Sequence, residues 1–301
     1  MSTIQRVIRF YRFDIGQTEA FLENQFDPKP MLERISRLSA NNRYMDSEDR
    51  RTTCVIDSLQ TPYKIRLANI RITDFPSVEQ GGIIKALDLP KNAGLFETIH
   101  IVFFPDNVIG FDSNFYGPRV SKLLDYFHER TTDICPKIIF LEPLINPKIA
   151  EQLSHIRSIK LFDLKMKPAY IDQISELHTS LSDALRTVNN LGDAEEIEIL
   201  LKVNPRSKSN LDSGLLGTVK RLMRKPDLDL HLEKFIIKGF DDELMQNVEL
   251  DLLNDKLVTK RQILKVDDRT KTLNPESAYN SIISSYEELE QRIKEATSIR
   301  I

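Results

Sequence analysis

Three groups of side chains in this chain have the types and spacing to do chemistry. In "SIKLFDLKMK", residues 158–167, Asp163 stands two residues before Lys165, and Glu142 follows an apolar run upstream in "FLEPLI". Metal-dependent nucleases place carboxylates at neighbouring strand ends to hold a divalent ion, with an ammonium beside them to steady the attacking water or the phosphate. Glu142, Asp163 and Lys165 have that order, and Mg²⁺ is the cofactor such a site would need. The structural alternative is a half-buried strand, with Leu161, Asp163, Lys165 and Lys167 on its wet face and Phe162, Leu164 and Met166 on the other. The run "DLDLHLEKF" offers Asp227, Asp229, His231 and Glu233 at period two. Strand residues two apart are about 6.6 Å apart, so one ion reaches two of them at most, and a solvated helix with Leu228, Leu232 and Phe235 on one side is expected instead. "VELDLLNDKLVTKRQI", residues 248–263, brings Glu249, Asp251 and Asp255 close to Lys256 and Lys260, and reads as a hairpin with its acidic side in water. No metal is expected outside the nuclease alternative.

The clearest binding signal is "NPRSKSNLDSGLLGTVKRLMRK", residues 204–225. It carries Arg206, Lys208, Lys220, Arg221, Arg224 and Lys225 against the single acid Asp212. On the predicted helix Leu215, Leu216, Val219, Leu222 and Met223 form the buried side, and Lys220, Arg221 and Arg224 cluster on the other. Such a face neutralises phosphates, and no aromatic residue interleaves it to stack bases, so nucleic-acid binding there would tolerate any sequence. The plainer alternative is an exposed charged face paired with surrounding acids. Arg6, Arg9 and Arg12 alternate with aromatics near the N-terminus, a pattern also ordinary on an edge strand. The five histidines are scattered and none is singled out as a base.

Whole function classes drop out on missing motifs. There is no GxGxxG after a strand, no phosphate loop, no HExxH and no GxSxG, which disfavours nucleotide-driven, dinucleotide-dependent and zincin chemistry in their familiar forms. Net charge is −3, from 42 basic and 45 acidic side chains, so any polyanion binding must come from a local patch. Cys54 and Cys135 sit among apolar neighbours without a Cys/His cluster, as reduced core thiols do. Arginines interrupt the N-terminal apolar run and no stretch approaches a membrane span, so a cytoplasmic protein with no membrane partner is expected.

The elements that must position these residues follow from periodicity. A chain of 301 residues suggests about two domains. Residues 4–15 read as a strand with Val7, Arg9, Tyr11 and Phe13 on one face and Ile8 and Phe10 on the other. Two helices, strands at "TTCVIDS" and "YKIRLANIRIT", a pair of strands around the Asp106–Asn107 turn, and a helix with Val120, Leu123, Leu124 and Phe127 inward complete a first domain, 1–132. From 133 to 301 strands alternate with helices, which favours crossovers and parallel pairing. "KFIIKGF", "NVELDLL" and "LVTKRQILKV" then make a three-stranded unit, and a long helix closes the chain with Asn274 as cap and Tyr279, Ile282, Ile283, Tyr286, Leu289 and Ile293 as its stripe. The expectation is α+β: an N-terminal, mostly antiparallel sheet with helices, then an α/β-like domain.

"FLEPLI", "KGFDDELMQNVELDLLNDKL" and "NPESAYNSIISSYEEL" resemble the ending of a diffuse group of uncharacterised bacterial proteins from phage-defence and mobile-element neighbourhoods. The resemblance covers residues 137–295 and carries no active-site residue. It implies an intracellular bacterial setting and a role in anti-phage defence. The expected function is a binding or regulatory component, homo-oligomeric, that engages a nucleic-acid backbone or a partner protein of the defence system through the basic helix. The alternative is a metal-dependent nuclease.

Overall fold

The computed structural model describes residues 2–15, 27–47, 49–91, 93–135, 139–204, 207, 209–225, 232–253 and 257–298. The class is α+β. The chain first forms β1 (Thr3–Ile15), α1 (Lys29–Ser36), β2 (Met45–Asp46), β3 (Arg50–Ser58), β4 (Tyr63–Arg71), β5 (Val78–Gln80), β6 (Ile83–Lys85), β7 (Leu95–Phe103), β8 (Val108–Asp112), α2 (Lys122–Thr131) and β9 (Ile139–Pro143). There follow α3 (Pro147–His155), β10 (Ile156–Met166), α4 (Ile171–Ser175), α5 (Thr179–Asn189), β11 (Ile197–Lys202), α6 (Ser213–Arg224), β12 (Leu232–Asp241) and β13 (Gln246–Asp251). The chain ends with β14 (Val258–Leu264) and α7 (Pro275–Ser298). Two compact units result, Met1–Leu141 with Val258–Leu289, and Glu142–Leu257 with Glu290–Ile301. The chain thus leaves the first unit near residue 141, not 132, and re-enters it at Val258.

In the first unit a large sheet runs β14-β1-β8-β7-β4-β3-β2, with β9 also on β1. Its strands are rich in β-branched and aromatic residues that fit a pleated, buried surface. β1 alternates as expected, but both of its faces are covered: Ile8, Phe10, Tyr11 and Phe13 are all buried. Tyr11 and Phe13 share a core with α1 and α2, where Phe13 meets Phe127 edge-on. On the other face Phe10 approaches Tyr286 of α7, and Phe104 stacks on that ring at 3.9 Å. Helices on both faces explain why apolar residues fall on both sides of the strand between its arginines. β1 is therefore an interior strand, not an edge. The pair of strands about Asn107 is present, and Asn107 takes a left-handed φ of 60°.

The edge beside β1 is β14, antiparallel with Ile4 opposite Ile263. This corrects two expectations at once. β13 ends at Asp251 and pairs with β12, while β14 pairs with β1, so among the described residues β13 and β14 do not form a hairpin, and β12, β13 and β14 do not form the expected three-stranded unit. Asn254, Asp255 and Lys256 fall outside the described residues. Period-two alternation names a strand's buried face but not its partner, which here lies some 250 residues away.

The second unit holds a sheet of order β11-β10-β12-β13, antiparallel at every step. The expected parallel pairing is corrected for a geometric reason. α4 and α5 return the chain to the end of the sheet it left, placing Ile197 opposite Met166. α6 does make a crossover, so β11 and β12 run the same way, but β10 lies between them. Phe162, Leu164 and Met166 face inward as expected, against Phe235, Ile237, Leu153, Leu185 and Leu222. Leu232, Glu233, Lys234 and Phe235 belong to β12, which corrects the helix expected for "DLDLHLEKF"; Asp227, Asp229 and His231 lie outside the described residues. Among the described residues no helix is long and apolar enough to cross a membrane.

Candidate functional site

α6 forms where its sequence starts it. Asp212 caps the helix by accepting from the Gly214 amide at 2.9 Å, so the one acid of the stretch is spent on the backbone. Leu215, Val219, Leu222 and Met223 are buried, which turns Arg221 and Arg224 outward and leaves Lys220 and Lys225 half-buried. Cations in the last turn also suit the negative end of the helix dipole. Two of the four are held. Arg221 Nη2 donates to the Leu177 carbonyl at 2.5 Å, and Lys225 Nζ meets Glu176 Oε2 at 2.6 Å. The Lys225 ammonium in turn holds the Glu176 carboxyl below its ordinary range. Among the described residues Lys220 and Arg224 meet no carboxylate. Arg206 and Lys208 lie outside the described residues. Sequence reasoning missed Lys160, whose Nζ donates to the carbonyls of Ser207 and Ser209 at 2.9 and 3.3 Å and so joins the loop before α6. Its signal was weak, a lone lysine on a strand 47 residues before Ser207.

Asp163 and Lys165 do share the outward face of the four-stranded sheet. Lys165 lies across from Glu198 and Lys234 in the register, and the charges assemble into two clips. Lys165 Nζ reaches Glu233 at 2.8 Å and also Glu196, while Lys234 Nζ reaches Asp163 at 2.6 Å and Glu198 at 2.9 Å. Hydrogen bonds to these carboxylates hold both ammoniums charged to higher pH than usual, and the lysines depress Glu198 and Glu233. A divalent ion on Asp163 would have to displace Lys234. Glu142 is on β9, which pairs with β1, and not on a strand of the sheet that holds Asp163 and Lys165. Among the described residues no group of three His, Cys, Asp or Glu side chains is arranged to hold a metal.

A polar row under α7 was invisible as a set. His100 is buried; its backbone amide donates to Asp112 Oδ1 at 2.5 Å, and its Nδ1 lies 3.2 Å from the same oxygen. Arg66 is its cross-strand neighbour and grips Asp57 with two bonds of 2.7 and 2.8 Å. Tyr279 of α7 meets the His100 ring edge-on, 5.5 Å between centroids, and donates its hydroxyl to Asp57 at 2.5 Å. Burial and the Asp57 carboxylate push the Tyr279 phenol up, keeping it a donor. An aspartate, a histidine and a tyrosine in line have the makings of a proton relay. His100 and Asp112 are only 1% and 0% exposed, however, so no substrate reaches them, and the row ties the helix to the sheet. The only sequence signal was a polar residue at a position where the strand alternation wants an apolar one.

No protein-family model matches the chain, and no curated protein matches it.

Proposed function

We propose that this chain is a binding component that grips a nucleic-acid backbone through α6. The observation that carries this is the composition of the α6 face: four cations, of which one meets a carboxylate, one a carbonyl, and two, Lys220 and Arg224, meet neither among the described residues. Phosphates attract such a face through counterion release, without reading sequence. The setting we propose, a bacterial anti-phage system, rests on the resemblance of the C-terminal half. Self-association belongs to the same reading, supported by the β5–β6 hairpin, where Val78, Ile83 and Ile84 are exposed, and light scattering reads it. Gel shift with duplex DNA and single-stranded RNA, with and without Mg²⁺, tests the binding. The proposal expects retarded, intact nucleic acid, lost when Lys220, Arg221 and Arg224 become glutamate. Unretarded nucleic acid turns the face toward a protein partner, and metal-dependent degradation favours the nuclease alternative.

A further inference from the structure

A second cation-lined surface lies in the first unit, far in sequence from α6. Arg50, Asn69, Arg71, Pro76, Leu95, Glu97, Tyr116 and Lys271 line a half-open cavity of about 350 Å³. The strand pairing creates an electrostatic problem there. Arg50 on β3 stands directly across from Arg71 on β4. Like charges opposite one another on a sheet are destabilising, and a third cation, Lys271, comes in from the segment before α7 to the same cavity. Asp49 answers one of the three, at 3.1 Å from Arg50. Among the described residues Arg71 and Lys271 have no carboxylate partner. A bound anion resolves the repulsion, and a guanidinium pair with an ammonium is the donor set that phosphate oxygens take.

The rest of the wall narrows the ligand. Tyr116 is 50% exposed, with the Lys271 ammonium 4.5 Å from its ring centre, and Pro76 and Leu95 add apolar lining. Asn69 Oδ1 accepts from Thr52 at 3.2 Å, which fixes its amide and leaves its NH₂ as a donor. Glu97 accepts one bond from Asn114 at 3.3 Å and keeps acceptor capacity for a hydroxyl or an exocyclic amine. A cationic corner, an apolar and aromatic side and one carboxylate acceptor in about 350 Å³ match the parts and size of one nucleotide. We propose that this cavity binds a nucleotide phosphate, as a free mononucleotide or as the 5′ end of a strand, independently of α6.

The test is calorimetric titration of the full chain with adenosine, adenosine 5′-monophosphate and inorganic phosphate, and then with a short oligonucleotide carrying a 5′-phosphate or a 5′-hydroxyl. The site requires the monophosphate to bind at least tenfold more tightly than adenosine, and Arg71→Gln and Lys271→Gln each to weaken it at least fivefold. Lys271 is exposed, so its variant carries the test if Arg71→Gln fails to fold. Charge reversal on α6 must leave this binding unchanged. Preference for the free monophosphate identifies a small-molecule site, and preference for the 5′-phosphorylated strand identifies an end-binding site. Monophosphate binding no tighter than adenosine, or unaltered in both variants, overturns the proposal.

Discussion

Replacing Lys220 and Arg224 together with glutamine removes the two α6 cations that no carboxylate answers among the described residues, while Arg221 and Lys225 stay on the Leu177 carbonyl and Glu176. Each phosphate neutralised adds about 0.9 to the slope of log affinity against log salt on duplex DNA. If all four cations engage phosphates, the slope is about −3.6, and affinity falls roughly 150-fold between about 50 and 200 mM salt. If Arg221 and Lys225 keep their protein partners, the slope is about −1.8 and the fall about 12-fold. In both cases the double variant moves the slope by about 1.8 toward zero, because the two residues removed are the same. Fluorescence anisotropy of labelled duplex at four salt concentrations measures it. Glutamine keeps the length and the helix propensity of the side chain, so α6 remains formed. A variant whose slope stays within about 0.5 of the parent would refute the assignment of phosphate contacts to this helix.

Tyr279→Phe removes the hydroxyl that Asp57 accepts at 2.5 Å while Arg66 keeps its two bonds, and a hydrogen bond to a charged group predicts a loss of about 2 kcal/mol in chemical unfolding. An added Asp57→Asn must then cost less than it does alone; simple additivity would show that the two do not interact. Gly110→Ala puts a methyl 2.7 Å from Ile282 and 2.8 Å from Phe10, an overpacking worth about 1–3 kcal/mol of destabilisation, whereas Gly217→Ala on the open side of α6 meets nothing and stabilises by up to about 1 kcal/mol. The two clips on the second sheet give a pH window. Glu198 and Glu233 are depressed, so their contribution is complete above the ordinary 4.5 and is lost as pH falls through their lowered values. Lys165 and Lys234 are raised, so theirs is complete below the ordinary 10.5 and is lost as pH rises through their higher values. Urea midpoints should therefore be flat between those limits, and Lys165→Met with Lys234→Met should soften the acid fall; an unchanged acid limb would show that the clips are idle.

What the residues disclosed by themselves was local. The strand of residues 4–15, the turn at Asn107, the buried side of α6 and the Asn274 cap, which accepts from the Ser277 amide at 3.0 Å, all follow from spacing within one element. What remained hidden was the choice of partner. Ile263 alternates with polar neighbours whether β14 pairs with β13 or with β1, and Lys165 lines a wet strand face whether or not Glu196 and Glu233 converge on it. Both candidate anion surfaces show the same division. The α6 face is legible because its four cations lie within six residues of one helix. The cavity at Arg50, Arg71 and Lys271 is not, because its third cation comes from the segment that returns the chain to the first sheet after a whole second unit has been built. That return is required by the sheet itself. Without Val258–Leu289, β1 would lose its partner along Thr3–Arg9, and Phe10 and His100 would lose the cover of Tyr286 and Tyr279. The alternation of arginines with aromatics in residues 4–15 suits an edge strand as well as an interior one, so no local pattern could say that residues 258–289 would arrive to cover and pair it.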